Sequence, residues 1–488
     1  MMIRKLINHS FIYFISSILR YGITFIMLPI YTRLLAPHEY GIIEILTIII
    51  DFTGAIFGLK IGESIFRFYL SFKQIQEKNE VISTSLILVI VFGILGYAVL
   101  FISADFLNKI IFDKIDQIDN ILLYSLTLVF QPVIELGMNF LRAQQKAVFY
   151  AIVSAIKLFL QLALNLYFIV YLDLKITGVI LSAVISCFIL SCVIVWYCIK
   201  EAGIKFSLKK SVEIINFSYP LVFAGMISFY ITFGDRYFLG LFDSLTNIGI
   251  YALAYKFGFL FTFIGTGPFF MVWDSEKYII LKEKNANIII HNAFIYFSVF
   301  SLCGATILAI ISKNIITIMA NNEFWDAYKI VPLILIAYLF QGLMGFCNLG
   351  ILVEKKTIII TKSNFYTAII ITVLYLLLIP KFSYYGAALS TAIAFAFRFF
   401  FIFFKSRALL KMQLQWKIYF YLVPINVFYF IIFLLGPNDK FVSVIFNSAI
   451  ICLLIISLSY LPIFTKKDRM IIKNYLLRPW KIILAKDN

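Results

Sequence analysis

Apolar runs of about twenty residues follow one another along almost the whole chain, separated by short polar joints. Such a run matches the hydrocarbon thickness of a bilayer, which takes about 20 apolar residues per helix. Fourteen spans can be drawn, at 9–30, 41–62, 81–103, 118–142, 147–171, 176–199, 214–240, 247–273, 288–312, 329–352, 357–380, 384–405, 416–436 and 441–464. Backbone polar groups in lipid must be satisfied within the segment, so runs of this kind fold as helices. The sequence therefore predicts an all-α polytopic membrane protein. With 62% hydrophobic and 14% charged residues, the polar joints are too short to build a soluble core of their own.

Arg4 and Lys5 precede an apolar run that continues to Ile30, too long for a cleavable signal. The six cysteines all fall in apolar runs without CxxC spacing, and the three histidines lie far apart. Neither a disulfide framework nor a metal site is signalled, and no catalytic constellation or cofactor is expected.

The net charge of +17 is distributed as a topology signal. An even helix count places both termini on one side. About two-thirds of the Lys and Arg residues fall on that side, including Arg142, Lys146, Lys200, Lys205 and the seven basic residues of the tail. By the positive-inside rule that side is the cytoplasm. The excess charge also attracts anionic lipid headgroups, and no nucleic-acid partner is expected.

Shifting the chain by 208 residues aligns three separate windows. Asn8, Ser10 and Ile23-Thr24-Phe25 fall on Asn216, Ser218 and Ile231-Thr232-Phe233. Gly41-Ile42 falls on Gly249-Ile250, and Gly178, Leu181 and Ser182 fall on Gly386, Leu389 and Ser390. The repeat predicts two pseudo-symmetric six-helix lobes, 1–200 and 201–410. Two further helices follow at 411–465, and a basic cytoplasmic tail at 466–488. Parallel repeats of this kind are common in secondary transporters, with the substrate site near the midplane.

Several charges lie inside spans, where each costs at least about 2.5–3.5 kcal/mol unless it meets a cavity or a partner. Ser16, Ser17, Arg20 and Thr24 share a helical face, with Arg20 roughly 18 Å from the cytoplasmic end at about 1.5 Å per residue. Polar stripes recur as Glu44, Thr47, Asp51, Gly54 and Gly58; as Gln131, Glu135, Asn139 and Arg142; and as Ser154, Lys157, Gln161 and Asn165. Either these are structural pairs, such as Arg20 with Asp51, or they line a hydrated cavity. Snorkelling to an interface suits Lys60, Arg236 and Arg398, nearer the helix ends. The candidate substrate-binding cations are Arg20, Lys157, Lys256, Arg398 and Arg33, which suit a phosphate or carboxylate. The candidate ion-coupling or charge-balancing acids are Asp51, Glu135, Glu44 and Asp235, with a proton or sodium gradient as the energy source.

The segment Leu28-Pro-Ile-Tyr-Thr-Arg-Leu-Leu-Ala-Pro-His-Glu-Tyr-Gly41 resembles the first-loop signature of bacterial polysaccharide flippases of the multidrug/oligosaccharidyl-lipid/polysaccharide export superfamily. Gly234-Asp-Arg-Tyr-Phe-Leu-Gly240, with Ile248-Gly-Ile-Tyr-Ala-Leu-Ala254, is similar to that family's seventh-helix signature, and Leu141-Arg-Ala-Gln-Gln-Lys146 is similar to its stretch after helix 4. The resemblance implies transfer of undecaprenyl-pyrophosphate-linked oligosaccharide from the inner to the outer leaflet of the bacterial cytoplasmic membrane. The product would serve O-antigen, capsule or another surface polysaccharide. It implies alternating access through a cationic cavity between the lobes, with Arg20 matching the family's basic first-helix residue. It also implies polysaccharide polymerase and chain-length proteins as partners. The alternatives are a cation-coupled multidrug antiporter or a lipid II flippase of the same superfamily.

Overall fold

The computed structural model describes residues 25–112, 115–410, 419–437 and 440–459. Among these residues every regular element is helical. Ten stretches are long and apolar enough to cross a membrane, and three shorter apolar helices, Phe25–Leu34, Tyr419–Leu434 and Val442–Ser457, accompany them. The expected all-α membrane fold is therefore the observed one.

Helix α1 (Phe25–Leu34) leads through a short turn into α2 (Pro37–Phe57). Pro37 occupies the first helical position, where its missing N–H costs nothing. Glu39 accepts the Ala36 N–H at 2.9 Å and thereby caps the helix start. The same carboxylate takes Lys175 at 3.1 Å. This part of the loop signature is thus a helix-start device.

The span expected at 41–62 is broken. Helix α2 stops at Phe57 and α3 (Ile61–Ser71) starts after Leu59 and Lys60, whose φ angles are 47° and 53°. Two successive non-glycine residues in the left-handed region interrupt the helix where no proline marks the site. The chain continues through α4 (Ile75–Ile111), α5 (Ile118–Ser125), α6 (Thr127–Ala143) and α7 (Ala147–Asn165). A π-helical turn, Leu166–Tyr171, ends that span before α8 (Lys175–Ala202).

Gly203, at φ +73°, terminates α8. Residues 203–207 then run along α4, where Ser83 Oγ accepts the Lys205 N–H at 2.6 Å and Thr84 Oγ1 accepts the Ser207 N–H at 3.1 Å. The connection between the two repeats is thereby pinned by hydroxyls rather than left as a free loop. Helix α9 (Leu208–Phe242) follows, then α10 (Leu245–Leu260), a second π turn at Phe261–Thr266, α11 (Gly267–Ile280) and α12 (Ala286–Met319). After α13 (Ala327–Cys347) and α14 (Leu349–Val353), α15 (Ile358–Leu409) consists of two helices meeting at Ser383, at φ 55° and ψ −137°. The sequence places its two spans, 357–380 and 384–405, on either side of that corner. Helices α16 (Tyr419–Leu434) and α17 (Lys440–Ser459) complete the described chain.

The chain divides into two compact units that interleave in sequence. Of the described residues, one holds those up to Leu253 with Met319–Phe324 and Asn364–Thr391; the other holds Ala254–Ile318, Trp325–Ser363 and those from Ala392. The first unit has a core of Ile61, Ile65, Val89, Leu136, Phe140, Ile194 and Ile214. In lipid such a core is held by van der Waals fit rather than by removal from water. In the second unit Trp273 stacks on Phe346 with centroids 4.4 Å apart. There α16 and α17 dock on α12 through Leu422 and Leu454 against Ile295 and Val299. Tyr419 hydrogen-bonds Ser298 at 2.7 Å, and Ser443 donates to the Asn314 amide oxygen at 3.1 Å.

Candidate functional site

Helical periodicity aligns polar side chains along α6 and α7, and the packing of the first unit turns those two stripes toward each other. Gln131, Glu135, Asn139 and Arg142 descend one face of α6, while Ser154, Lys157, Gln161 and Asn165 descend one face of α7. Between them open two chambers, of 470 Å³ and 540 Å³. Gln131, Glu135, Lys157 and Gln161 belong to both walls. The Lys157 ammonium donates to Gln131 Oε1 at 2.9 Å, and the Cys187 thiol donates to the same oxygen at 3.4 Å. This contact fixes the Gln131 amide oxygen toward the cation.

The first chamber adds the α2 stripe, with Asp51, Gly54 and Gly58, and the aromatic faces of Tyr124, Phe229 and Phe233. Lys60 reaches the same chamber because the helix break at Leu59 and Lys60 turns it inward rather than toward an interface. Its ammonium lies 3.5 Å from Glu63. The second chamber adds Tyr31, Tyr150, Asn139, Arg142 and Asn165. The titratable lining is mixed in sign: Asp51 and Glu135 face Lys60, Lys157 and Arg142. Among the described residues the lining is weakly cationic rather than strongly so.

The sequence candidates separate into three groups. Lys157, Asp51 and Glu135 meet at the chambers. Arg33, Glu44 and Asp235 lie elsewhere in the same unit. Arg33 Nε donates to the Met319 carbonyl at 3.2 Å, beside the Asn321 N–H that donates to the Thr32 carbonyl at 3.0 Å. Glu44 is buried one turn from Tyr40, with which it shares a hydrogen bond. Asp235 and Arg236 are fully enclosed, not snorkelling. The guanidinium sits 2.7 Å from Asp235 Oδ1 and 3.1 Å from the Thr232 carbonyl, and Tyr251 donates to Asp235 Oδ2 at 2.6 Å. Lys256 and Arg398 belong to the second unit, both half-buried. Arg20 lies outside the described residues.

The Leu141–Lys146 stretch has a structural explanation. Tyr197 donates to Gln144 at 2.6 Å, and the Lys146 ammonium donates to Tyr197 at 2.7 Å and to Glu201 at 3.2 Å. Partial burial opposes the charged form of Lys146, but these two hydrogen bonds outweigh it and raise the amine above its ordinary range. The network staples the α6–α7 turn to the end of α8. Sequence reasoning left Lys60, Arg142, Tyr31, Tyr124 and Tyr150 out of the candidate set. Arg142 could have been found from its place on the α6 stripe, and Lys60 from Gly58 and Gly62, which flank the break.

Residues 30–264 match the family described as "Polysaccharide biosynthesis protein". That match covers just under half of the chain. The chambers are built wholly from helices inside or adjoining the matched segment. The fold resembles that of the lipid II flippase MurJ in an inward closed conformation, with a TM-score of 0.72 at 16% identity, covering 97% of this chain and 99% of that one. It also resembles an inward-facing multidrug resistance transporter of the MOP superfamily (TM-score 0.63, 14% identity, 81% of this chain and 96% of that one). A third likeness is to a MOP superfamily transporter from Pyrococcus furiosus (TM-score 0.54, 14% identity, 81% and 94%). No curated protein matches the chain in sequence. The fold is thus that of multi-pass transporters and flippases.

Proposed function

We propose that the protein carries a polyprenyl-pyrophosphate-linked oligosaccharide from the cytoplasmic to the outer leaflet, for assembly of O-antigen, capsule or another surface polysaccharide. The observation that carries this reading is the two-chambered polar cavity walled by membrane-crossing helices. A saccharide headgroup cannot pass through hydrocarbon without losing its hydration, so a carrier must offer replacement hydrogen bonds. Gln131, Gln161, Asn139 and Asn165 offer neutral donors and acceptors. Lys157, Lys60 and Arg142 offer charge for a pyrophosphate.

Asp51 and Glu135 temper that attraction, so the headgroup is held without being trapped. In this reading one of them also takes up a coupling proton or sodium ion. Arg20 adds a first-helix cation on sequence grounds, and Lys256 and Arg398 serve as second-lobe contacts. Arg33, Glu44 and Asp235 act in the architecture instead. The two lobes of the repeat alternate access, the polyprenyl tail stays in lipid, and both termini face the cytoplasm of a bacterial inner membrane. Polymerase and chain-length proteins receive the product. Support comes from the family match over residues 30–264 and from likeness of fold to a protein described as a lipid II flippase.

A multidrug antiporter would need acids to dominate the lining, which they do not. The test is deletion of the gene in the source cells. Accumulated lipid-linked oligosaccharide with missing surface polymer is the expected result. An intact polymer with altered drug sensitivity overturns the proposal, and a block in peptidoglycan synthesis redirects it to lipid II.

A further inference from the structure

We infer that Gln131 is the positioning residue for Lys157. Its amide oxygen holds the ammonium where the two chambers join without cancelling the charge, and its Nε2 group is the second donor of a clamp for one pyrophosphate. The inference rests on the flippase reading above and names the group that sets its selectivity for an anionic head.

Lys157 lies roughly 15 Å along α7 from Ala147, at about 1.5 Å per residue, which is mid-depth in a hydrocarbon core of about 30 Å. A charge at that depth faces a cavity or pairs with an acid. Asp51 and Glu135 are on the chamber walls. Yet the side chain that the Lys157 ammonium meets is the neutral amide of Gln131, at 2.9 Å. A carboxylate in that place would neutralise the ammonium. The amide anchors it and leaves the positive charge to the chambers. Lysine carries its charge on a flexible four-carbon stem, so an anchor also removes part of the ordering cost of binding.

Chemistry fixes which way the amide faces. An ammonium has donors only, so the atom it meets must be the amide oxygen. Cys187, 6% exposed on α8, which packs against α6, donates its thiol to the same oxygen at 3.4 Å. Both lone pairs of Oε1 are thereby taken. Nε2 is left on the far side of the planar group with its donors alone. Gln131 itself is exposed and lines both chambers, so this face of the amide is open to a ligand. The ammonium keeps two further N–H groups beyond the one given to Gln131. The wall at the junction therefore presents donors without acceptors. A pyrophosphate, which offers several charged acceptor oxygens, is its complement, and charge-assisted bonds of this kind are the strong ones. A neutral alcohol gains far less from the same wall.

The test measures dissociation constants in nanodiscs for two probes with the same tail: undecaprenyl pyrophosphate and the neutral undecaprenol. Wild-type protein is expected to hold the pyrophosphate more tightly. Gln131→Glu keeps the shape and sets a carboxylate beside Lys157. It should raise Kd for the pyrophosphate lipid roughly tenfold or more, and move Kd for undecaprenol by less than about twofold. Gln131→Met removes the anchor and the second donor without adding charge, and should raise Kd for the pyrophosphate lipid roughly threefold to tenfold. In a Lys157→Met background the same change should cost less than in wild type, because no ammonium is left to position. Wild-type selectivity in Gln131→Glu, or an equal loss on both lipids, overturns the inference. So does a Gln131→Met penalty as large in the Lys157→Met background as in wild type. Wild-type protein that holds both lipids equally well overturns it too, while the flippase reading, which the deletion strain tests, stands. Binding of neither lipid brings down both readings together. If Gln131→Glu fails to insert, Gln131→Met and the double variant carry the same comparison.

Discussion

Gly41 and Gly249 meet backbone to backbone. A Cβ on Gly41 would collide with the Leu245 carbonyl oxygen, and a Cβ on Gly249 with the Pro37 carbonyl oxygen. The contact is reciprocal, and the two glycines, like the two residues whose carbonyls they meet, are separated by the 208-residue offset of the repeat. The starts of α2 and α10 therefore pack on each other through matching positions. Close backbone approach of this kind is open only to glycine, and it is how helices gain van der Waals contact in lipid.

Gly41→Ala and Gly249→Ala should each force α2 and α10 apart and cost about 1–3 kcal/mol, the usual range for overpacking. The check is thermal unfolding of purified protein. Because the two sites share one contact, the double variant should lose less than the sum of the singles. Wild-type stability in either single variant would contradict the contact.

Lys157→Met should abolish polysaccharide export while leaving the protein inserted and folded, because the methionine keeps the apolar stem and removes the charge at the shared wall. Surface polymer at matched expression is the readout. Arg20→Ala is expected to behave alike on sequence grounds. Normal polymer in the Lys157 variant would remove that residue from the mechanism.

Asp235→Ala should leave Arg236 charged and enclosed without its carboxylate, and cost about 3–5 kcal/mol. Tyr251→Phe removes one hydrogen bond to the same carboxylate and should cost about 1–3 kcal/mol. Membrane-inserted yield and melting temperature would separate the two. Equal behaviour of both variants would mean that the ion pair carries no more than the phenol does.

Lys146 gives a pH prediction. Its amine is raised in the folded protein by Tyr197 and Glu201. The stabilisation is therefore fully present below the ordinary lysine range and is lost as pH rises through the folded value. Since the Lys146 side chain is 41% exposed, the gain is small, at most about 1 kcal/mol. Lys146→Met should lower the melting temperature slightly at neutral pH, and the difference from wild type should close under strongly alkaline conditions. A gap that persists there would assign the effect to packing.

Periodicity alone marked the stripes on α2, α6 and α7, since an apolar helix can carry Glu135 or Lys157 only on a face turned away from lipid. It also marked the repeat, through Gly41 and Gly249, and the two spans that meet at Ser383. Other features were not legible. Gly58 caps α2 and Gly62 follows the break, but Gly54 sits inside α2 without breaking it, so which glycine ends the helix was not legible. Arg236 looked like a snorkelling cation and Asp235 like a coupling acid because sequence does not reveal enclosure by Thr232, Phe233 and Tyr251. Arg33 looked like a substrate cation until the Met319 carbonyl was found beside it.

The sequence by itself determined that these residues cross a membrane as helices, which faces are polar, and that the chain repeats. Those properties follow from local rules: transfer cost per residue and the 3.6-residue turn. Only the tertiary structure decided that the stripes of α6 and α7 face each other across two chambers, and that Lys157 meets Gln131 there. Pairing of distant helices depends on shape fit and on the hydrogen bonds left over after folding, and neither is encoded at any single position.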